Sequence, residues 1–310
     1  MRHIMERGRP RPRGSIGKRW RLFGRALAGG VARAPYSRLV LLAAFSLIGL
    51  ITSATAQAPA PVNDRALLAA QPAALLSDYR LFRDAGAREP NGRVTGYELN
   101  TALYSDGALK FRYVYIPQGS QARYSADGVF EFPVGTVLVK TFAFAADMRT
   151  PTANVRFIET RLLIRRADGW VAYPYVWNAA QTEARYSPIG ADVPVNFTDE
   201  DGEAIALDWI VPNRNQCKAC HDRAGDLVPI GPSARNLNVA DYLVTLTSGP
   251  RQGGSGPPPD YIDQLDTWTE AGLLTGAPRA REAPRVPSAY LANTGSLTDR
   301  ARAYLDVNCA

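Results

Sequence analysis

Hydrophobic and polar positions alternate in short runs between residues 79 and 210, which is the pattern of half-buried β-strands. Residues 137–142, 156–164 and 169–177 are the clearest runs and are rich in Val, Ile, Tyr, Trp and Phe. Asp168-Gly169 and Asp127-Gly128 stand between such runs and predict tight hairpin turns. Residues 79–210 are therefore predicted to form a mainly β domain, either a sandwich or a barrel.

The pattern changes on both sides of this region. Residues 57–78 are rich in Ala and Pro and predict a linker, with a short helix at 64–70. Residues 211–290 predict a small, mostly α, loop-rich segment with helices at 239–247 and 261–274, separated by a Gly/Pro linker at 249–259. Residues 291–310 contain a further predicted helix, Arg300 to Val307, behind a Ser or Thr N-cap.

The beginning of the chain predicts an export signal. Residues 1–38 hold eleven basic residues and one Glu, an apolar run follows from Leu39 to Ile51, and Ala54-Thr55-Ala56 is an A-x-A cleavage site. We expect a signal and disordered leader over 1–56, cleavage near Ala56 and a periplasmic protein. The apolar run is short for a membrane span, so an uncleaved anchor is the less favoured alternative.

Charge argues against a nucleic-acid partner. The net charge of +7 comes from the leader, because residues after Ala56 carry 25 basic and 28 acidic side chains. A nucleic-acid-binding protein would carry its basic patch on the folded domain. Composition also disfavours a Ser-His-Asp hydrolase and a His-rich catalytic metal site, because His221 is the single His after the leader.

The segment Cys217-Lys218-Ala219-Cys220-His221 carries the most specific chemistry in the chain. A C-x-x-C-H segment is the attachment site of c-type haem: both thiols form thioether bonds with the porphyrin, and the His is the proximal iron ligand. A Cys217–Cys220 disulfide, a structural zinc site and a chance match are the alternatives. Loop-like flanks argue against a thioredoxin-like disulfide, and zinc lacks a fourth ligand nearby.

The sequence leaves open which residue is the second axial ligand of the iron and which group accepts a hydrogen bond from the His221 ring. Met148 is the single Met after the leader, but Met more often fills gaps in a core; an open iron, a Lys or a Tyr are the alternatives. A ligating His normally donates its other N–H to a carbonyl or carboxylate. The loop Val228–Pro232 is a candidate to accept it, through the carbonyl of Pro229 or Gly231.

Cys309 is a third candidate residue. It follows the last predicted helix, and an odd Cys in an exported chain requires an explanation. One interpretation is that Cys309 is the first residue of a second haem motif that this chain does not complete. The other is that it is a free or intermolecular thiol.

Two further features have simpler explanations. Residues 199–203 are an acidic run that we interpret as a solvated turn rather than a calcium site. Tyr175 and Trp177 are interpreted as core residues.

These residues give the chain a resemblance to an incompletely characterised bacterial family of periplasmic dihaem c-type cytochromes. The resemblance extends over roughly residues 79–310 and rests on the motif and on six further stretches: 103–106, 132–142, 159–163, 177–182, 235–238 and 300–309. It implies a β-rich N-terminal domain followed by two haem motifs, the second of which would begin at Cys309. Residues 291–310 are then expected to be the start of a second, truncated cytochrome c domain.

The expected function is an exported cytochrome with one haem c, bound at Cys217, Cys220 and His221, that transfers electrons to a redox partner protein. The alternatives are a haem-dependent oxidoreductase subunit, and a β domain for binding or docking with an accessory haem. An electron-transfer protein is favoured over a stand-alone catalyst.

Overall fold

The computed structural model describes residues 60–240 and 263–308, which belong to one compact unit. The predicted excess of β structure is confirmed, with 33% strand against 19% helix. The strands are β1 (Val94–Gly96), β2 (Leu109–Tyr115), β3 (Ala122–Arg123), β4 (Val137–Ala145), β5 (Val155–Arg166), β6 (Gly169–Trp177), β7 (Ala184–Tyr186), β8 (Ala191–Thr198), β9 (Ala204–Val211), β10 (Asp222–Arg223), β11 (Asp226–Leu227) and β12 (Leu274–Thr275). The helices are α1 (Asp64–Leu68), α2 (Arg214–His221), α3 (Ala234–Leu237), α4 (Gln264–Glu270) and α5 (Leu297–Asn308), with 3-10 turns at Leu76–Tyr79 and Ala292–Thr294.

The centre of the fold is a six-stranded antiparallel sheet in the order β1-β2-β4-β5-β6-β7. Among the described strands β1 and β7 are its two edges, so the sheet is open and is not a closed barrel. Strands β8 and β9 form a separate hairpin, and β12 pairs in parallel with β3. The strand predicted at 169–177 has these bounds in the structure, and the predicted turn before it is confirmed by the pairing of Arg166 with Gly169.

One face of the sheet, here called the closed face, is covered by apolar and aromatic side chains. Alternate residues of β4, β5 and β6 point to it, and the chain between residues 62 and 87 packs on them. Leu67 and Tyr79 are 0% exposed, and the Tyr175 hydroxyl donates to the carbonyl of Ala73 (2.9 Å). The segment predicted as a linker at 57–78 is therefore, from residue 60 onward, a packed part of the fold.

On the other face, here called the cavity face, hydrophobic clusters cover the two ends. At one end Phe142 and Phe144 pack on Val195 and Trp209 of the β8–β9 hairpin. At the other end Leu138 joins a cluster that contains buried side chains of α3 and α4, among them Leu237, Leu265 and Trp268. Lys140 lies between these two ends along β4 and lines a cavity. The middle of the face therefore borders open space.

The helices predicted beyond residue 211 differ in length from those in the structure. The helix expected at 261–274 extends only over Gln264–Glu270, because Gly272 has φ +67° and the chain then enters β12. Most of the helix expected at 239–247 lies outside the described residues. The last helix is confirmed and begins earlier, at Leu297. In the described ranges no helix has the length and hydropathy of a membrane span.

The segment after residue 211 shares its core with the β region. Strand β12 pairs with β3, and the indole of Trp268 packs edge-on against Tyr97 and Phe130. The predicted boundary at 210 therefore lies inside one packed unit. The leader predicted at 1–56 and the Gly/Pro linker at 249–259 lie outside the described residues.

Candidate haem-binding site

The cysteine motif lies on helix α2, and two residues separate the start of this helix from the end of strand β9. Asn213 caps this helix: its side-chain oxygen accepts from the backbone N–H of Asn215 and Gln216, both at 2.9 Å. The Gln216 side-chain oxygen in turn accepts a hydrogen bond from the backbone N–H of Asn213 (2.8 Å), which completes a capping box. The loop-like flank predicted before the motif is therefore wrong, because this reciprocal cap starts a helix at Arg214, three residues before the first cysteine.

A helical backbone puts the three chemical groups of the motif on one side of α2. Residues three and four positions apart are neighbours on a helix surface, so Cys220 and His221 both lie one turn from Cys217. All three line one cavity of about 480 Å³, within the range of small-molecule and cofactor sites. Cys217 is 8% exposed, whereas Cys220 is exposed. The three predicted site residues of the motif therefore line the same cavity.

A hydrogen bond to the backbone of Val228 orients the imidazole of His221. Its Nδ1 lies 2.7 Å from the carbonyl oxygen of Val228. A carbonyl only accepts, so Nδ1 carries the proton and Nε2 has the free lone pair that a metal requires. Burial lowers the pKa of His221, which favours this neutral form. The predicted loop supplies the bond, but from Val228 and not from Pro229 or Gly231.

A small hairpin fixes this geometry. Strands β10 and β11 pair through a two-residue turn, Ala224-Gly225, in which both residues have positive φ. The hairpin returns the chain so that the Val228 N–H donates to the His221 carbonyl (2.7 Å). His221 and Val228 are thus joined twice, once through the backbone and once through the imidazole.

The loop that follows is held by a buried asparagine. The Asn236 side chain donates to the carbonyls of Gly231 (3.3 Å) and Thr101 (3.0 Å) and accepts from the Thr101 N–H (2.8 Å). Gly231 and its neighbours Pro229, Ile230 and Pro232 line the cavity. The sequence contains no local signal for this link between positions 135 residues apart.

The lining of the cavity is mainly apolar with a charged strip. Leu99, Leu103, Leu138, Leu163 and Ile230 supply aliphatic side chains, and Arg112, Lys140 and Arg161 supply positive charge. A haem combines the same two kinds of surface, because its porphyrin is apolar and its propionates are anionic.

The three cations are direct neighbours across the sheet and are here called the cation row. Lys140 of β4 pairs with Arg112 of β2 on one side and with Arg161 of β5 on the other. Like charges directly opposite each other destabilise a sheet. Sequence reasoning missed this row, because the register that aligns three distant strands is not a local pattern.

Two carboxylates offset part of this charge. Arg161 donates to Glu159 through two nitrogens, at 2.8 and 2.5 Å, and the Glu159 side chain is 0% exposed. Arg112 and Glu98 are 3.4 Å apart. Lys140 has no hydrogen bond or ion pair with the described part of the chain, and its ammonium lies 4.6 Å from the centre of the Phe142 ring. Burial, then Arg112 and Arg161, hold its pKa well below the ordinary value.

The motif thiols are free in the structure. The Cys217 sulfur lies 3.5 Å from the Asn213 carbonyl, and burial raises the pKa of this thiol. Across residues 60–240 and 263–308, no group of three or more His, Cys, Asp or Glu side chains is arranged to hold a metal ion.

Other residues considered from sequence lie elsewhere. Met148 follows the far end of β4, is 7% exposed, and is not part of the cavity lining. The acidic run at 199–203 is the β8–β9 turn, where the Asp199 side chain accepts from the backbone N–H of Asp201 and Glu203. Tyr175 and Trp177 are buried core residues, as expected. Cys309 lies outside the described residues.

The end of α5 reaches the cavity. Val307 and Asn308 are among its lining residues, and the Asn308 side chain accepts from the backbone N–H of Tyr104 (2.8 Å). An ion pair between Arg235 and Asp306 (2.6 Å) joins α5 to α3. This helix is therefore fixed both to the segment before β2, at Tyr104, and to α3.

Comparison with known proteins adds no relative to this geometry: no family model, no curated protein and no solved structure matches the chain.

Proposed function

We propose that this chain is an exported c-type cytochrome that binds one haem covalently at Cys217 and Cys220, with His221 as an axial iron ligand, and that transfers electrons to a partner protein. The observation that carries the proposal is the convergence of two thiols and one oriented imidazole on a single cavity of about 480 Å³. Bound haem supplies an iron that exchanges one electron.

The residues around the motif fit this group. Cys217 and Cys220 would form the thioether bonds, and the Val228 carbonyl keeps the free nitrogen of His221 available to the iron. Aliphatic side chains of the sheet and of the 229–232 loop would exclude water from the porphyrin plane. The stretches on which the family resemblance rests contribute Leu103, Lys140, Arg161 and Leu163 to the same lining.

The position of α2 supports electron transfer in particular. Lys218, Ala219 and Cys220 are exposed, so one edge of the motif lies at the molecular surface, where a partner protein can approach closely. The basic and apolar leader supports export, which c-type haem attachment outside the cytoplasmic membrane requires.

Covalent attachment is tested by expressing the full chain with its own leader in a host that matures c-type cytochromes. We expect one haem per chain that survives denaturation, and c-type bands in a pyridine haemochrome spectrum. Cys217→Ala and Cys220→Ala should lose one thioether bond each, and His221→Ala should alter the iron spectrum. Lys218→Ala, between the two cysteines and exposed, is the matched control and should retain full haem content. Colourless wild-type protein with two unmodified thiols would contradict the proposal.

The kind of reaction is tested on the same preparation. An electron-transfer protein should show reversible one-electron reduction and should not consume peroxide at an appreciable rate. Rapid peroxide consumption would instead support the alternative of a haem-dependent oxidoreductase. Localisation is checked by cell fractionation and by the N-terminal sequence of the exported form, expected to begin near Gln57.

A further inference from the structure

The cation row has more positive charge than the described carboxylates near it balance. Arg161 is paired with Glu159 and Arg112 with Glu98, which leaves Lys140 as the surplus charge between them. Burial raises the pKa of Glu98, and its Oε2 lies 3.4 Å from Nη1 of Arg112. Like charges in register cost stability, so the row needs an explanation beyond the packing of the sheet.

The row also has unused hydrogen-bond donors. A guanidinium has five N–H donors and an ammonium has three. In the described residues the Arg112 side chain uses one donor, to Glu98, and Lys140 uses none. Arg112 is 4% exposed, so water reaches its remaining donors poorly except from the cavity that it lines.

The cavity limits the class of anion. The three cations share it with the two motif thiols, His221, a set of aliphatic side chains and Asp222, an exposed carboxylate. A small inorganic anion would use the cations and leave the apolar lining unused. A ligand with an apolar body and an anionic edge uses both.

We propose that Arg112, Lys140 and Arg161 form the subsite for the two propionate carboxylates of the haem, with Lys140 providing the charge that is not already paired. This inference rests on the proposed function and assigns the orientation of the haem: its propionate edge faces the row formed by β2, β4 and β5, in the middle of the cavity face. Carboxylate binding by a guanidinium and an ammonium is charge-assisted and relieves the repulsion within the row.

The test uses the full chain matured with haem and the variant Lys140→Met. Loss of a positive charge beside the propionates favours the ferric state, so the reduction potential should fall. We expect a shift on the order of tenfold in the ratio of reduced to oxidised protein, or about 59 mV for one electron. The propionate bending bands of the resonance Raman spectrum should move with it, while haem content stays at one per chain.

Two further variants separate charge from structure. Lys140→Arg keeps the charge and should retain a reduction potential near that of the wild type. If both variants shifted the potential equally, the cause would be a disturbed fold and not the lost charge. Lys110→Met is the matched control: Lys110 lies two residues from Arg112 on the same face of β2 but does not line the cavity, and its ammonium donates to the Ala108 carbonyl (3.1 Å). It should shift the potential less than a third as much as Lys140→Met.

The outcomes distinguish this inference from the proposed function. Haem attached normally in Lys140→Met, with unchanged potential and unchanged propionate bands, overturns the subsite and leaves the cytochrome proposal intact. A change of iron spin state in Lys140→Met also overturns it, because the amine would then be an iron ligand. A wild-type chain that takes up no haem overturns both.

Discussion

The two faces of the central sheet differ in how they bury adjacent residues of the same strand. Along β4, Val139 and Ala143 point to the closed face and are 0% exposed, in an apolar cluster. Leu138 and Phe142 point to the cavity face, with Lys140 between them. The closed face is filled by the chain itself, whereas the middle of the cavity face borders an open cavity. Packing is therefore continuous on one face and interrupted on the other.

Neighbouring leucines of β5 provide the largest expected contrast. Leu162 points to the closed face and is 0% exposed, whereas Leu163 is half-buried and lines the cavity. Leu162→Ala should cost about 4 kcal/mol of unfolding free energy, because a fully buried side chain leaves a void. Leu163→Ala should cost about 1 kcal/mol in the haem-free chain, because its side chain already borders open space. Urea unfolding of both variants measures the difference; equal losses would show that the faces are equally packed.

A smaller effect is the pH dependence of the unfolding free energy of the haem-free chain, which comes from partly buried lysines of the cavity face. Lys140 has a folded-state pKa well below 10.5, and burial lowers the pKa of Lys110 to about 8. As pH rises above each folded pKa, the folded state releases a proton that the unfolded state still holds, so stability rises with pH. For Lys110 the gain should appear between about pH 8 and pH 10. Above that range buried tyrosines, among them Tyr97 with a pKa of about 12, reverse the slope.

The same unfolding curves test the origin of this slope. Lys140→Met removes one of the two lysines, so the variant should be more stable than the wild type near pH 7 and should gain less as pH rises. The wild type and the variant should converge when haem is attached, because the propionates then neutralise Lys140. A slope that Lys140→Met does not alter would assign the pH dependence to groups outside the cation row.

The smallest expected effect lies in the hairpin beside His221. Ala224 has φ +57° at the first central position of a two-residue turn, and Gly225 follows with φ +90°. Asn tolerates this backbone better than Ala, and Asn-Gly is the preferred pair in such turns. Ala224→Asn should therefore stabilise the fold by about 0.5–1 kcal/mol. Gly225→Ala is the opposing control and should destabilise it; thermal unfolding measures both.

The local features of this fold were predictable from sequence, and the long-range ones were not. Strand β6 and its preceding turn follow from alternation and from Asp168-Gly169, which are local signals. The motif residues were found because their spacing is itself the signal. By contrast, the burial of Leu67 depends on which sheet face residues 62–87 cover, and that is decided by tertiary packing.

The missed parts of the candidate site have the same origin. The cation row exists only because β4 pairs with β2 and β5 in one particular register. A shift of one residue would send Lys140 to the closed face. The bond from His221 to Val228 was predicted to the right loop but the wrong carbonyl, because the β10–β11 hairpin sets how far the chain returns.

The unequal exposure of the two motif thiols bears on when the prosthetic group joins the chain. Cys217 is 8% exposed in the folded unit, whereas Cys220 is open to solvent. Under the proposed function, a maturation enzyme could reach Cys220 in the finished fold but not Cys217. The bond to Cys217 would therefore form on a chain that has crossed the membrane and has not yet closed around α2, so haem attachment at this position would precede completion of the fold.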